Sequence, residues 1–179
     1  LMFDSAGNDT YVAGADAATF SNENVTNRVR GYTSVSAFSN GGVDTATLHD
    51  SEGTETLRAY PDRAVLRGDN LFSWIRGFSQ VTAHSSGGED LAKLYDSAGD
   101  DTFWSQGASS QMTGDGYSNR AEGFLINYGY AYQGGTDTAQ MHDTSAADLY
   151  RTYSTEVIMT AGPIKNTAVL FDSTIAHSS

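Results

Sequence analysis

With 179 residues, no cysteine and 22 Asp and Glu against 10 Lys and Arg, the chain carries a formal charge of −12. That balance excludes a disulfide framework and repels nucleic acid and anionic membrane, leaving cations as the natural small partners. Two prolines and nineteen glycines among many Thr, Ser, Tyr and Phe residues predict strands broken by tight turns, and the lack of any long apolar run predicts no membrane insertion.

The first element in the chain is an octapeptide, Asp4-Ser5-Ala6-Gly7-Asn8-Asp9-Thr10-Tyr11, that returns as Asp50-Ser51-Glu52-Gly53-Thr54-Glu55-Thr56-Leu57 and Asp96-Ser97-Ala98-Gly99-Asp100-Asp101-Thr102-Phe103. A fourth, degenerate copy begins at Asp143, so the intervals are 46, 46 and 47 residues. Gly41-Gly42-Val43-Asp44, Gly87-Gly88-Glu89-Asp90 and Gly134-Gly135-Thr136-Asp137 recur at the same step, as do Arg30-Gly31-Tyr32, Arg76-Gly77-Phe78 and Glu122-Gly123-Phe124. A fixed period in this range is the mark of a repeat architecture. The repeats run 1–46, 47–92 and 93–139, with a truncated one over 140–179 in which Asp172-Ser173 reads as an early return of the opening motif. Because Leu1-Met2-Phe3-Asp4 already lies inside the pattern, the chain is expected to be a piece of something longer.

Within the second repeat, alternation and turn signals predict strands at 44–49, 55–60, 64–67, 71–75 and 78–84. Period two sets Ala46 and Leu48 on the core face and Thr47 and His49 on the other. Three columns are apolar in every copy and therefore predict core: Tyr11, Leu57, Phe103 and Tyr150; Phe20, Leu66, Met112 and Met159; Val25, Leu71, Tyr117 and Ile164. Five short strands per unit fit two coils of a β-solenoid, so the expected fold is a single all-β domain, a right-handed parallel β-helix with about two coils per repeat. Some seven coils would make a rod roughly 30–35 Å long. Residues one repeat apart, such as Leu48 and Leu94, should then be related by translation along one axis. A β-propeller is the alternative, since a four-stranded blade takes about 40–45 residues.

The residues Asp4, Asp50, Asp96, Asp143 and Asp172 suit Asx-type turns in which the carboxylate accepts backbone N–H groups at a corner. Asp9, Glu55, Asp101 and Asp148 form a second acidic column. Stacking at two coils per repeat would hold like charges ~9–10 Å apart, about one Debye length.

Gly7-Asn8-Asp9-Thr10-Tyr11 and Gly99-Asp100-Asp101-Thr102-Phe103 resemble the nonapeptide of RTX, or haemolysin-type, calcium-binding repeats, although the period here is 46 rather than nine. The whole unit also resembles the Asp-Ser-x-Gly-x-Asp-Thr-Phe repeats of bacterial surface and secreted proteins. These resemblances imply an extracellular or cell-surface β-solenoid. They also imply Ca²⁺ as the one cofactor to consider, held by Asp9 and Asp101 with Asp4 and Asp96 and adjacent turn carbonyls, in the oxygen-only ligand set calcium takes.

No catalytic residue is assigned. Arg30 and Arg76, His49 and His142, and His84 obey the repeat, whereas a catalytic site would break it. Asn8-Asp9-Thr10 and Asn24-Val25-Thr26 match the N-glycosylation sequon. The expected role is a structural module of a fibre, adhesin or surface layer. Its partners would be copies of itself or flanking repeats, joined head to tail. The alternative is a polysaccharide-binding or polysaccharide-cleaving solenoid, for which Tyr128, Tyr130, Tyr132 and Trp104 would have to line one groove.

Overall fold

The computed structural model describes residues 1–178 and contains twenty strands and no helix among them. After β1 (Met2–Phe3), each repeat lays down five strands. The first set is β2 (Thr10–Ala13), β3 (Ala17–Ser21), β4 (Thr26–Arg30), β5 (Ser34–Phe38) and β6 (Thr45–His49). The second is β7 (Thr56–Tyr60), β8 (Arg63–Arg67), β9 (Phe72–Arg76), β10 (Gln80–His84) and β11 (Leu91–Tyr95). The third is β12 (Thr102–Gln106), β13 (Ser109–Gly114), β14 (Tyr117–Glu122), β15 (Ile126–Tyr130) and β16 (Thr138–His142). The last set has four, β17 (Asp148–Thr152), β18 (Glu156–Ala161), β19 (Ile164–Val169) and β20 (Ser173–His177).

These strands form two ten-stranded sheets, in the orders β1-β5-β9-β8-β7-β11-β15-β19-β18-β17 and β20-β16-β12-β13-β14-β10-β6-β2-β3-β4. The molecule is a β-solenoid of about five turns. Its strands follow one another along an axis rather than fanning into blades, so the propeller alternative falls. Nine strand spacings of ~4.8 Å give a length of about 43 Å.

The first three strands of a repeat form an antiparallel meander in one sheet, as β7, β8 and β9 do. The fourth crosses to the other sheet and the fifth crosses back, each pairing in parallel with a strand of a neighbouring turn. A repeat therefore makes three sheet passages, one and a half turns, in place of the two coils expected from strand count. An odd number of passages swaps the sheets. The meanders β2–β4 and β12–β14 lie in one sheet and β7–β9 and β17–β19 in the other. Leu48 and Leu94 are both fully buried, as their shared column requires, but they sit in opposite sheets, related by a half-turn as well as a translation. The residues that stack directly are 35 to 39 apart, from Thr10 against Thr45 to Ile126 against Lys165.

The core lies between the sheets. Ala46, Leu48, Leu57, Ala59, Leu66, Ile75, Leu94, Phe103 and Met112 point inward from alternating strand positions and expose 2% or less. Ala37, Ala83, Ala92, Ala121 and Ala139 are buried with them and let the sheets approach. Gly129 holds an alanine position of this pattern because Phe103 fills the space: a Cβ there would lie 2.4 Å from the Phe103 ring.

Asp172-Ser173 is not a fifth copy of the opening motif. Ser173 begins β20, opposite Thr138 of β16, so Asp172 occupies the place of Thr33, Ser79 and Leu125 before the fourth strand of each earlier set.

Candidate functional site

The candidate site is a set of buried carboxylate corners where the chain crosses between sheets. Six-residue connections such as 50–55, between β6 and β7, carry the octapeptide. The Gly-Gly-x-Asp connection of the next turn lies against each one. At the first corner, Asp4 accepts the Asn40 N–H at 2.7 Å and Asp44 accepts the Asp9 N–H at 2.6 Å. The second repeats the pattern with Ser86 N–H on Asp50 at 2.8 Å and Glu55 N–H on Asp90 at 2.6 Å. The third has Gln133 N–H on Asp96 at 2.6 Å and Asp101 N–H on Asp137 at 2.9 Å. Hydroxyls add to this network, with Ser5 donating to Asp9, Ser51 to Glu55, Ser85 to Asp90 and Ser97 to Asp101. Hydrogen bonds to a charged acceptor contribute roughly 1.5–3 kcal/mol each, so the carboxylates bind consecutive turns to one another.

Glycine makes the close approach possible. A Cβ on Gly88 would sit 1.7 Å from the Gly53 carbonyl oxygen, and one on Gly135 would sit 2.1 Å from that of Gly99. Both glycines have positive φ, 93° and 102°. The Gly-x-Asp motif is thus used for turn-to-turn packing across a 35-residue step, which the 46-residue period hides.

The corners alternate flanks. Asp44 and Asp50 lie at opposite ends of β6, so the corner of Asp4, Asp9 and Asp44 shares a flank with that of Asp96, Asp101 and Asp137, and the corner of Asp50, Glu55 and Asp90 lies across the molecule. The acidic column therefore does not stack at ~9–10 Å. Equivalent corners on one flank are five strands apart, about 24 Å. Close like charges arise inside a corner instead. Carboxylate oxygens of Asp4, Asp9 and Asp44 lie within 4.8 Å of one another, and so do those of Asp50, Glu55 and Asp90.

This crowding leaves buried oxygens without a hydrogen-bond donor: Asp4 Oδ1, Asp50 Oδ2, Glu55 Oε2 and Asp96 Oδ1. Burial first, and neighbouring carboxylates after it, hold Asp4, Asp50, Glu55, Asp96 and Asp137 above the usual carboxylate range. Chemically a corner of this kind can take a proton, or a cation that prefers oxygen. Of the four residues expected from sequence to be calcium ligands, Asp4 and Asp9 come together, and Asp96 and Asp101 meet at a separate corner. Asp44 and Asp90, which complete the first two triads, could have been found by pairing each octapeptide with the Gly-Gly-x-Asp connection 35 residues on.

The third corner differs because Tyr117 enters it. Its hydroxyl donates to Asp101 Oδ1 at 2.6 Å, and burial together with that carboxylate pushes the phenol far above its ordinary range. In the sequence Tyr117 is marked only as a core residue, by its column with Val25, Leu71 and Ile164.

The remaining candidates do not converge. His49 stacks on His84 at 5.2 Å, and His84 Nδ1 meets Glu122 at 3.0 Å. His142 stacks on His177 at 4.2 Å. Tyr60, Tyr95 and Tyr130 stack in a ladder at 4.3 and 5.1 Å, joined by Tyr128 and Tyr132. Trp104 is on β12, in the opposite sheet, so the expected groove of Tyr128, Tyr130, Tyr132 and Trp104 does not form. Arg76 lies within 3.7 Å of Asp62, and Arg30 is exposed on β4. Asn8, the first sequon asparagine, accepts the Val43 N–H at 2.8 Å.

Fold and corners together define a two-layer β-solenoid stapled by carboxylates at its sheet crossings. No protein-family model, curated protein or solved structure matches the chain.

Proposed function

We propose that the chain is a structural module of an extracellular bacterial fibre, adhesin or surface layer, a length of solenoid that continues end to end and performs no chemistry. The observation that carries this reading is the use made of the polar repeat residues. The recurring Asp, Ser and Gly residues of the octapeptide and of Gly-Gly-x-Asp hold one turn against the next, which is work that scales with length. The surface location rests on the resemblance to Asp-Ser-x-Gly-x-Asp-Thr-Phe repeats.

Calcium fits this reading as a corner ion at the first two triads, where three carboxylates converge; at the third, Tyr117 already supplies a donor. Sugar binding has less support. The tyrosine rings stack on one another, which covers the faces that a saccharide ring would use.

The test is sedimentation velocity across a concentration series, run beside binding assays with soluble acidic and neutral polysaccharides. A mass that climbs with concentration and no polysaccharide binding is the expected result. Saturable polysaccharide binding by a concentration-independent monomer would overturn the proposal.

A further inference from the structure

We propose that the two ends of the molecule are complementary, so that a second copy of this chain docks its β1 and β4 on β17 and β20 and continues both sheets in register. This rests on the end-to-end reading above and names its partner and its strand pairing.

Strand position decides which strand pairs with which. Numbering the strands of each set one to five, a first-position strand always pairs in parallel with a fifth: β2 with β6, β7 with β11, β12 with β16. A fourth-position strand pairs in parallel with the third of the following set: β5 with β9, β10 with β14, β15 with β19. At one end of the molecule the open edges are β17, a first-position strand, and β20, a fourth. At the other end they are β1, which holds the fifth position, and β4, a third. Each open edge thus lacks the partner type that the opposite end presents. The sheets agree as well. β1 and β17 bound one sheet and β4 and β20 the other, because four repeats of one and a half turns restore the starting orientation.

Register follows from the interior pairs. Ser36 faces Trp74 in β5 and β9, which sets Ile175 against Arg28 of the second copy and Ala176 against Val29. Ala13 faces Leu48 in β2 and β6, which sets Thr152 against Met2.

Burial supports this match. Tyr150 is 37% exposed, although Tyr11, Leu57 and Phe103 in its column are fully buried. Val25 is 52% exposed where Leu71 and Tyr117 expose 5% and 6%. Ala176 is exposed where Ala37 and Ala83 are fully buried. Asn119 and Asn166 donate their amides to the carbonyls of Tyr60 and Gly107, at 2.9 and 3.0 Å, in the hairpin of the preceding set. Asn27 holds the same position in β4 and is exposed; docking brings it to the Tyr153–Ser154 turn of the other copy. Side chains that the interior buries are left open at the two ends.

Because the chain has no cysteine, an engineered pair reports on this contact alone. The R28C/I175C double variant places two outward-facing thiols opposite each other across parallel strands ~4.8 Å apart, within disulfide reach. The two sites on one molecule lie at opposite ends and cannot close on themselves.

The expected result of mild oxidation is a ladder of disulfide-linked dimers, trimers and longer species. N27C/I175C, one residue out of register, should give at most a small fraction of that yield. Dimers from R28C or I175C alone, as strong as the double-variant ladder, would show like ends meeting and overturn the inference. Oligomers in sedimentation without the ladder would overturn the pairing while leaving end-to-end assembly intact. A monomer at every concentration, with no ladder, would overturn both.

Discussion

Tyr117 donates its hydroxyl to Asp101 at 2.6 Å, whereas Leu71, at the same place in the preceding repeat, leaves Glu55 Oε2 buried without a donor. The two corners are alike in backbone and differ in how they satisfy a carboxylate. Removing the hydroxyl in Tyr117→Phe should cost about 1–3 kcal/mol, the usual penalty for a buried acceptor that loses its partner. Denaturant melts of the two proteins measure it.

The converse holds at the second corner. Glu55 is 1% exposed, and its charge is crowded by Asp90 and Asp50. Glu55→Gln keeps the shape, removes one of three like charges and adds an amide donor. In chelator near neutral pH this variant should melt higher than the parent, and added Ca²⁺ should stabilise the parent more than the variant. A lower melting temperature for the variant in chelator would contradict this reading of the corner.

Leu170 has φ of 63°, in the left-handed region, at the position held by Gly31, Gly77 and Gly123 in the other sets. Its side chain is 49% exposed, so little packing offsets the strain. Leu170→Gly should therefore stabilise the protein, by about 1 kcal/mol at most, given a left-handed cost of roughly 1–2 kcal/mol and the extra chain entropy of glycine. Thermal melts should place its transition above that of the parent.

Acid should act in two opposite ways. Asp4, Asp50, Glu55, Asp96 and Asp137 titrate above their ordinary values, so the folded corners bind protons before the unfolded chain does. Stability contributed by the corners should rise as pH falls from neutral toward about 3.8, the ordinary aspartate value, and level off below it. His142 runs the other way. Burial first, and then His177, hold it below its ordinary 6.5, so the unfolded state takes that proton first. Below pH 6.5 the pairing of β16 with β20 should weaken while the corners tighten. Hydrogen exchange resolved by peptide, corrected for the intrinsic pH dependence, should show β20 losing protection between pH 7.5 and 5.5 relative to β7 and β11.

Much of the fold was legible in the sequence. The predicted strands of the second repeat lie within about two residues of β6 to β10, because period-two alternation and glycine or Asx punctuation act locally. Ala46 and Leu48 face the core as alternation required. The half-turn between repeats was not legible from period or strand count, since both are the same whether a connection crosses between sheets or folds back. Loop length carried only part of that signal. The two-residue turns Pro61-Asp62, Gly107-Ala108 and Asp115-Gly116 keep the chain in its sheet and the six residues 50–55 and 85–90 cross, but the three residues 77–79 cross as well, whereas the four residues 68–71 do not. The carboxylate partners were hidden for the same reason: Asp9 meets Asp44 across a stacking step of 35 residues, a distance set by the two passages of one full turn and invisible in the repeat period.

End-to-end assembly requires growth along one axis, and small-angle scattering over a concentration series measures it directly. The cross-sectional radius should stay constant while particle length increases in steps of about 48 Å, ten strand spacings per added molecule. Scattering that is unchanged at every concentration, or that grows in cross-section instead, would contradict it.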